Sequence, residues 1–225
     1  MAKAGKTKRP EQPKQRAADP AERALAAAMD VAVRIGWRRA ALADIAAAAG
    51  MSLGELHAQF SDKAAILRGV VEFADRKVLA GTPEPDPESS ARDRLFDVLM
   101  RRFDALKPYR EGLAAVAREG GGVGVGDAIC GAQRMLRSMA WMLEAAGIAT
   151  GGWAGACRVR GLAVVYAATF STWLRDESED MGKTMAALDK NLGRAERFAN
   201  TLAFRRAGRP GEGRERGDQG EGAPA

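Results

Sequence analysis

The sequence predicts an all-α protein, with a small N-terminal three-helix head built round a helix-turn-helix and a larger helical-bundle body behind it. Three observations carry this. Between Gly36 and Leu67 (GWRRAALADIAAAAGMSLGELHAQFSDKAAIL) helix-stop and helix-start signals follow one another at short range. From residue 91 to residue 202 apolar residues recur at steps of three and four, and the alternation of a half-buried strand is missing. The chain's 225 residues, 46% of them hydrophobic, suffice for one packed body plus a head.

Residues 1–19 hold six Lys and Arg (Lys3, Lys6, Lys8, Arg9, Lys14, Arg16) against Glu11 and Asp19, with prolines and no apolar stretch. They read as a disordered basic arm, not as a signal peptide or a core segment. Much of the formal charge of +6 sits there, since residues 82–204 are balanced. Such an arm either tracks nucleic-acid phosphates or simply keeps the chain soluble.

Asp19-Pro20-Ala21-Glu22 starts a helix to about Ile35, with an acidic N-cap, proline in the first helical position and an acid in the first turn. Leu25, Met29 and Ala32 give it an apolar stripe, with Val33 beside them. The run ending at Gly50 stops where a residue without Cβ takes a left-handed cap. Ser52 and Glu55, three apart, form a capping box that restarts a helix at once, with Leu56 and Phe60 facing inward. Small Ala46 sits where the two helices cross, the helix-turn-helix arrangement. Ser61 and Asp62 cap a further helix, to about Ala80, that links head to body. The Pro-rich break at 82–89 (TPEPDPES) places the head and connecting helix at 20–81 and the body at 82–204.

In the body, Leu95, Val98, Leu99, Phe103 and Leu106 share one face of a helix over 91–106, with the arginines and aspartates on the other. Another helix runs from Pro108 to Gly120. The glycine-rich 120–126 has neither a preceding strand nor a following Gly-Lys-Ser/Thr, so it is a connection and not a phosphate loop. A helix over 127–146 carries Met135, Met139, Trp141 and Met142. Residues 153–175 are the most apolar, and the uncharged LAVVYAATFSTWL (162–174) calls for burial on every side, at the centre of the body or between it and a second copy. Asp176 to Asp180 reads as a solvated acidic turn. A last helix with Met181, Met185, Leu188, Leu192, Ala195, Ala199 and Leu202 forms a narrow seam, and the tail 205–225 is too polar to fold.

Gly36, Ile45-Ala46, Ala49-Gly50-Met51-Ser52, Leu56, Phe60, Lys63 and Ile66-Leu67 together resemble the DNA-binding domain of TetR-family transcriptional regulators. The departures fall on the DNA side: Ala41 or Leu42 stands for the usual threonine, His57 for the recognition-helix tyrosine, and Leu53 for a polar or basic residue. The resemblance implies a cytoplasmic homodimer that binds a palindromic double-stranded DNA operator as a repressor. The contacts expected are Arg38, Arg39, Asp44, Ser52, Leu53, Gly54, His57 and, on phosphate, Lys63. A body ligand, small and apolar or lipid-like, would release the DNA. Met135, Met139, Trp141, Met142, Tyr166, Phe170 and Trp173 are the candidate lining, because methionine and aromatic side chains adapt to apolar ligands.

A second resemblance covers Gly36-Trp37, RFDALKPY (102–109), Ala146-Gly147, the stretch from Arg160 to Tyr166, and WLRDESEDMGKTMAAL (173–188). These are similar to the TetR-like lipid-binding accessory proteins of ubiquinone biosynthesis. They imply the alternative of an isoprenoid carrier whose last helix, with Lys183, Lys190, Arg194 and Arg197, touches a membrane as a peripheral contact. No enzyme, cofactor or metal signature is present. His57 is the single histidine, Cys130 and Cys157 lack metal-ligand spacing and read as free buried thiols, and no nucleophile-elbow motif occurs.

Overall fold

The computed structural model describes residues 19–120 and 125–207, and the side chains within these except those of 125–130 and 200–207. The described residues form helices throughout, with no strand. The head comprises α1 (Pro20–Ile35), α2 (Leu42–Ala48) and α3 (Leu53–Gln59), and α4 (Lys63–Gly81) runs from it into the body. The body adds α5 (Ala91–Leu106), a 3-10 turn (Lys107–Tyr109), α6 (Arg110–Arg118), α7 (Val125–Ala145), α8 (Gly152–Trp173) and α9 (Gly182–Ala207). The glycine connection falls largely on 121–124, outside the described residues, as do the arm up to residue 18 and the tail from 208.

Local chemistry sets the head's short helices. The Asp19 carboxylate accepts the Ala21 N–H at 3.1 Å and opens α1. At the end of α2, Gly50 takes φ +64. The Met51 N–H reaches the Ala46 carbonyl at 3.0 Å and the Gly50 N–H that of Ala47 at 3.1 Å, a Schellman closure. Two residues on, Ser52 Oγ accepts the Glu55 N–H at 3.2 Å while Glu55 Oε2 accepts the Ser52 N–H at 2.7 Å. Asp62 Oδ1 takes the Ala65 N–H at 2.5 Å and opens α4. Leu25, Ile45, Leu56, Ile66 and Val70 fill the space between these helices and are buried. Gly69 belongs to that packing: a Cβ there would lie 2.7 Å from the Phe60 ring.

In the body α4 packs on α5 and α7, α8 packs on α7 and α9, and α5 reaches α9. At their meeting point lies Arg102, 1% exposed, where the amphipathic pattern of α5 predicts solvent. Its Nε donates to Asp75 Oδ1 at 2.9 Å, one terminal nitrogen to Ser138 Oγ at 3.2 Å, and the other to the Tyr166 hydroxyl. Ser138 Oγ in turn donates to the same Asp75 oxygen at 2.9 Å. Four helices thus share one buried charge. Burial pushes the Tyr166 hydroxyl above its usual range, and the Arg102 charge opposes that. Beside the network Phe103, Tyr166, Phe170 and Trp173 stack with ring centroids 5.2–5.7 Å apart.

Three further expectations are corrected. Asp176 is not solvated: it is fully buried, and its carboxylate caps α9 by accepting the Thr184 N–H at 2.8 Å and the Thr184 hydroxyl at 2.7 Å. Arg110 donates to its carbonyl and Lys107 to that of Glu179 at 2.6 Å, which ties this turn to the start of α6. Of the two places expected for α8, the centre of the body or between it and a second copy, the single chain does not give the first. Leu162, Val165, Tyr166, Thr169 and Trp173 face inward, while Val164 is 71% exposed on a face shared with Gly161, Ala168 and Ser171. Cys157 lies exposed on α8 as a free thiol, not a buried one, and the Cys130 side chain is outside the described residues.

Two predictions arise here. Asp75→Ala leaves the Arg102 guanidinium buried without its carboxylate and costs about 3–5 kcal/mol. The double variant Arg102→Met with Asp75→Leu recovers most of that loss in urea denaturation. Burial raises the Asp176 carboxyl, but hydrogen bonds from Ser178 and Thr184 outweigh it and bring the carboxyl down to about 2 from 3.8. The charged form therefore stabilises the fold. Its contribution is complete above about pH 4 and is lost as the pH falls toward about 2. In Asp176→Asn the melting temperature, measured across that window, falls less steeply with acid than in the parent chain.

Candidate nucleic-acid interface and ligand cleft

The capping box fixes the start of α3, so the residues that follow it are presented to solvent at a defined angle. Ser52, Leu53, Gly54 and His57 all lie on the exposed face, Leu53 at 55% exposure, while Leu56 on the opposite face anchors the helix. Arg38 and Arg39 are exposed on the loop that precedes α2. Hydrogen bonds from the backbone and hydroxyl of Ser52 hold the Glu55 carboxyl below its usual range. Its charge is thereby drawn back against the cap.

Asp44 and Lys63 are occupied within the head. Asp44 Oδ2 accepts the Ala41 N–H at 2.9 Å, one half of a capping box whose other half is missing because Ala41 has no hydroxyl. The Lys63 ammonium is half-buried beneath the loop, donates to the carbonyl of Trp37 and to that of Ala40 at 2.7 Å, and lies 4.6 Å from the centre of the Trp37 ring. Desolvation lowers its pKa, and the Glu119 carboxylate opposes that shift. The resemblance implies a phosphate contact for Lys63; in this structure its ammonium is bonded to the loop that carries Arg38 and Arg39.

The body reaches this loop directly. Glu119, at the end of α6, accepts the Arg38 backbone N–H through Oε2 at 2.7 Å. Gly36, at φ +84, makes room, since a Cβ there would stand 2.4 Å from Glu119 Oε1. At the other end of α6, Gly112 lies so close to α1 that a Cβ would be 2.4 Å from that of Met29. α6 is thus held against the head at both ends. Glu119 carries no signal in the sequence, because its partner is a backbone N–H 81 residues away.

The candidate ligand residues do not form one pocket. Met139, Met142, Tyr166 and Trp173 are buried in close-packed core, and Phe170 stacks between Tyr166 and Trp173. Met135 and Trp141 instead line a cleft of 430 Å³ between α4 and α7, with Leu67, Val71 and Leu79 from α4. Its volume is in the range of small-molecule sites, about 300–1,000 Å³. The Asp75 and Ser138 of the buried network form part of its wall, and Arg68, Arg76, Arg134 and Arg137 border it. The arginines share the helical spacing of an ordinary solvated face, which is why the pattern did not single them out.

The family model of bacterial regulatory proteins of the tetR family matches residues 24–70, from within α1 to within α4. The COQ9 family model matches residues 159–199, from within α8 to within α9. This is the ubiquinone-related resemblance, narrowed: the RFDALKPY stretch lies outside it. A TetR regulator from Nitrosomonas europaea superposes with a TM-score of 0.64 at 26% identity, covering 79% of this chain and 99% of that one. A TetR regulator from Rhodococcus sp. RHA1 gives 0.57 at 19% identity over 78% and 94%. One from Streptomyces coelicolor gives 0.54 at 18% identity over 83% and 87%. No curated protein matches the chain. The protein therefore resembles TetR-family regulators in its helix-turn-helix segment and has their all-helical fold.

Lys63→Met removes two hydrogen bonds made by a charged donor and lowers the stability of the head by about 1–3 kcal/mol. Circular dichroism during thermal unfolding checks this. A melting curve superimposable on that of the parent chain would return Lys63 to the DNA-facing surface.

Proposed function

We propose that the protein is a TetR-type DNA-binding transcriptional regulator, a cytoplasmic homodimer that represses its target and is released by a small apolar or lipid-like ligand held in the body. The observation that carries this reading is the capping-box-anchored α3. It offers Ser52, Leu53, Gly54 and His57 to solvent beside Arg38 and Arg39, inside the segment matched by the tetR family model. In a major groove, Leu53 suits a thymine methyl, and His57 with the two arginines suits phosphate oxygens. Lys63 and Asp44 serve by holding the loop and α2 that position these groups.

A dimer presents two copies of α3 to major-groove faces one helical turn apart, about 34 Å. The exposed face of α8 supports such a pairing, since Val164, Gly161 and Ala168 would otherwise leave an apolar strip in water. α4 is a wall of the cleft and also the last helix of the head. A ligand that favours one position of α4 therefore biases the spacing of the two α3 helices.

The COQ9 match over α8 and α9 supports a second reading, a lipid carrier. In it the exposed part of α9, with Phe198 at 67% exposure and Lys183, Lys190 and Arg194 nearby, would meet a membrane surface. Leu188 and Leu192 are spent on the body's core, which leaves α9 a narrower apolar face than its seam suggests.

Selection of genomic DNA fragments by the full-length protein at rising salt separates the readings. The expected result is enrichment of one palindromic site that persists near physiological salt. In the same assay Val164→Arg, monomeric by light scattering, loses the site. Enrichment of nothing, or only salt-sensitive binding without sequence preference, sinks the regulator reading. Co-sedimentation with phospholipid vesicles that the Phe198→Glu variant loses would then replace it.

A further inference from the structure

The charges around the α4–α7 cleft narrow what it can hold. Among the described residues Arg76, Arg134 and Arg137 make no ion pair, although all three border the cleft. Arg68 has only a loose approach of 3.8 Å to Asp62. The two acids of the lining do not balance them. The Oδ1 of Asp75 is committed to Arg102 and Ser138, which leaves Glu72 alone against four guanidinium groups.

Between these charges the wall is apolar. Leu67, Val71 and Leu79 of α4 face Met135 and Trp141 of α7, and the Trp141 indole is 55% exposed although it is the largest side chain there. An exposed indole and a half-buried thioether beside unpaired guanidinium groups are poorly served by water alone. The apolar surface gains from a hydrocarbon chain, and the arginines gain from an anion they can grip bidentately. A cationic ligand meets repulsion on both sides, and a neutral one leaves the arginines unsatisfied.

We infer that the cleft binds a single amphiphile with an anionic head, a carboxylate or phosphate gripped by Arg134, Arg137 and Arg76, and with its alkyl or isoprenoid tail laid along Leu67, Val71 and Trp141. This deepens the regulator reading and rests on it for the consequence of binding, though not for the binding itself. The tail would lie against α4 between the head and the Asp75–Arg102 pair. The ligand therefore bears on the helix whose position sets the spacing of the recognition helices. Asp75 and Ser138 stay with Arg102, so the head group is held by the free arginines and not by the buried network.

The test titrates the full-length protein with decanoate, decanol and decyltrimethylammonium, each below its micellar concentration, and follows tryptophan fluorescence. Decanoate is expected to saturate one site at least about tenfold more tightly than either of the others, a difference one guanidinium–carboxylate grip supplies. The signal should be lost in Trp141→Phe while binding by calorimetry remains. Arg134→Glu with Arg137→Glu should weaken decanoate about tenfold or more, and Arg134→Lys with Arg137→Lys, which keeps the charge, should weaken it less.

Equal affinity for the three probes, an unchanged decanoate affinity in the charge-reversed variant, or no saturable binding of any probe overturns the proposal. Phosphatidylglycerol vesicles added as competitor distinguish the sources of the anion. Displacement of decanoate points to a lipid head group and no displacement to a soluble acid, and either is consistent with the anion site. DNA binding is read in a separate assay. Decanoate that binds as expected but leaves operator affinity unchanged removes the regulatory consequence and keeps the site.

Discussion

The buried guanidinium of Arg102 is the constraint on which the rest of the body depends. Removing such a charge from water costs several kcal/mol unless every donor finds a partner. Here the partners come from three other helices: Asp75 from α4, Ser138 from α7 and Tyr166 from α8. None of these helices can slide along α5 by a fraction of a turn without breaking one of the guanidinium's hydrogen bonds. α4 is therefore registered against the body by an ion pair as well as by apolar contact. Because α4 also supplies the Ile66, Gly69 and Val70 floor of the head, that register carries through to the helix-turn-helix. The cleft lies against this connection, with the Asp75–Ser138 pair in its wall.

A second connection runs through α6. Gly112 lets α6 approach the backbone of α1, and Gly36 lets Glu119 into the turn after α1, where it takes the Arg38 N–H. The same carboxylate acts electrostatically on Lys63, whose ammonium holds the Trp37 and Ala40 carbonyls. The loop that bears Arg38 and Arg39 is thus shaped from both sides, by a cation from α4 and an anion from α6. Of these two helices α4 is itself a wall of the cleft. Movement of the body relative to the head has to disturb one of these two contacts, and each ends on the backbone of the same six-residue loop.

The elements were legible in the sequence where their cause is local. Asp19, Gly50, Ser52 with Glu55, and Asp62 act within a few residues, and each caps the helix that the spacing predicts. What was not legible is the fate of charges with distant partners. Arg102, Lys63 and Asp176 have the residue types of a solvated face, and only contacts 20 or more residues away, or a cap eight residues on, bring them inside. The candidate ligand lining is divided for a related reason. Methionine and aromatic residues fill a solid core as readily as they wall a cavity, and composition does not say which. Tyr166, Phe170 and Trp173 stack on one another, while Met135 and Trp141, from the same set, reach the cleft. For α8, the absence of charge correctly marked a helix that is not fully served by water, but a single chain covers only one of its sides.

The departures of the head from the TetR pattern acquire a physical meaning from these contacts. Ala41 removes a hydroxyl that would both cap α2 and face phosphate. The capping duty is then carried from the other side by Asp44, whose carboxylate is drawn toward the backbone and away from the surface. Glu55, an acid at the start of α3, is likewise turned back onto Ser52, where its charge favours the positive end of the helix. The Lys63 ammonium is bonded to two carbonyls of the loop. What the head leaves exposed is Leu53, His57 and the Arg38–Arg39 loop, and the loop is the part of the head that Lys63 and Glu119 hold.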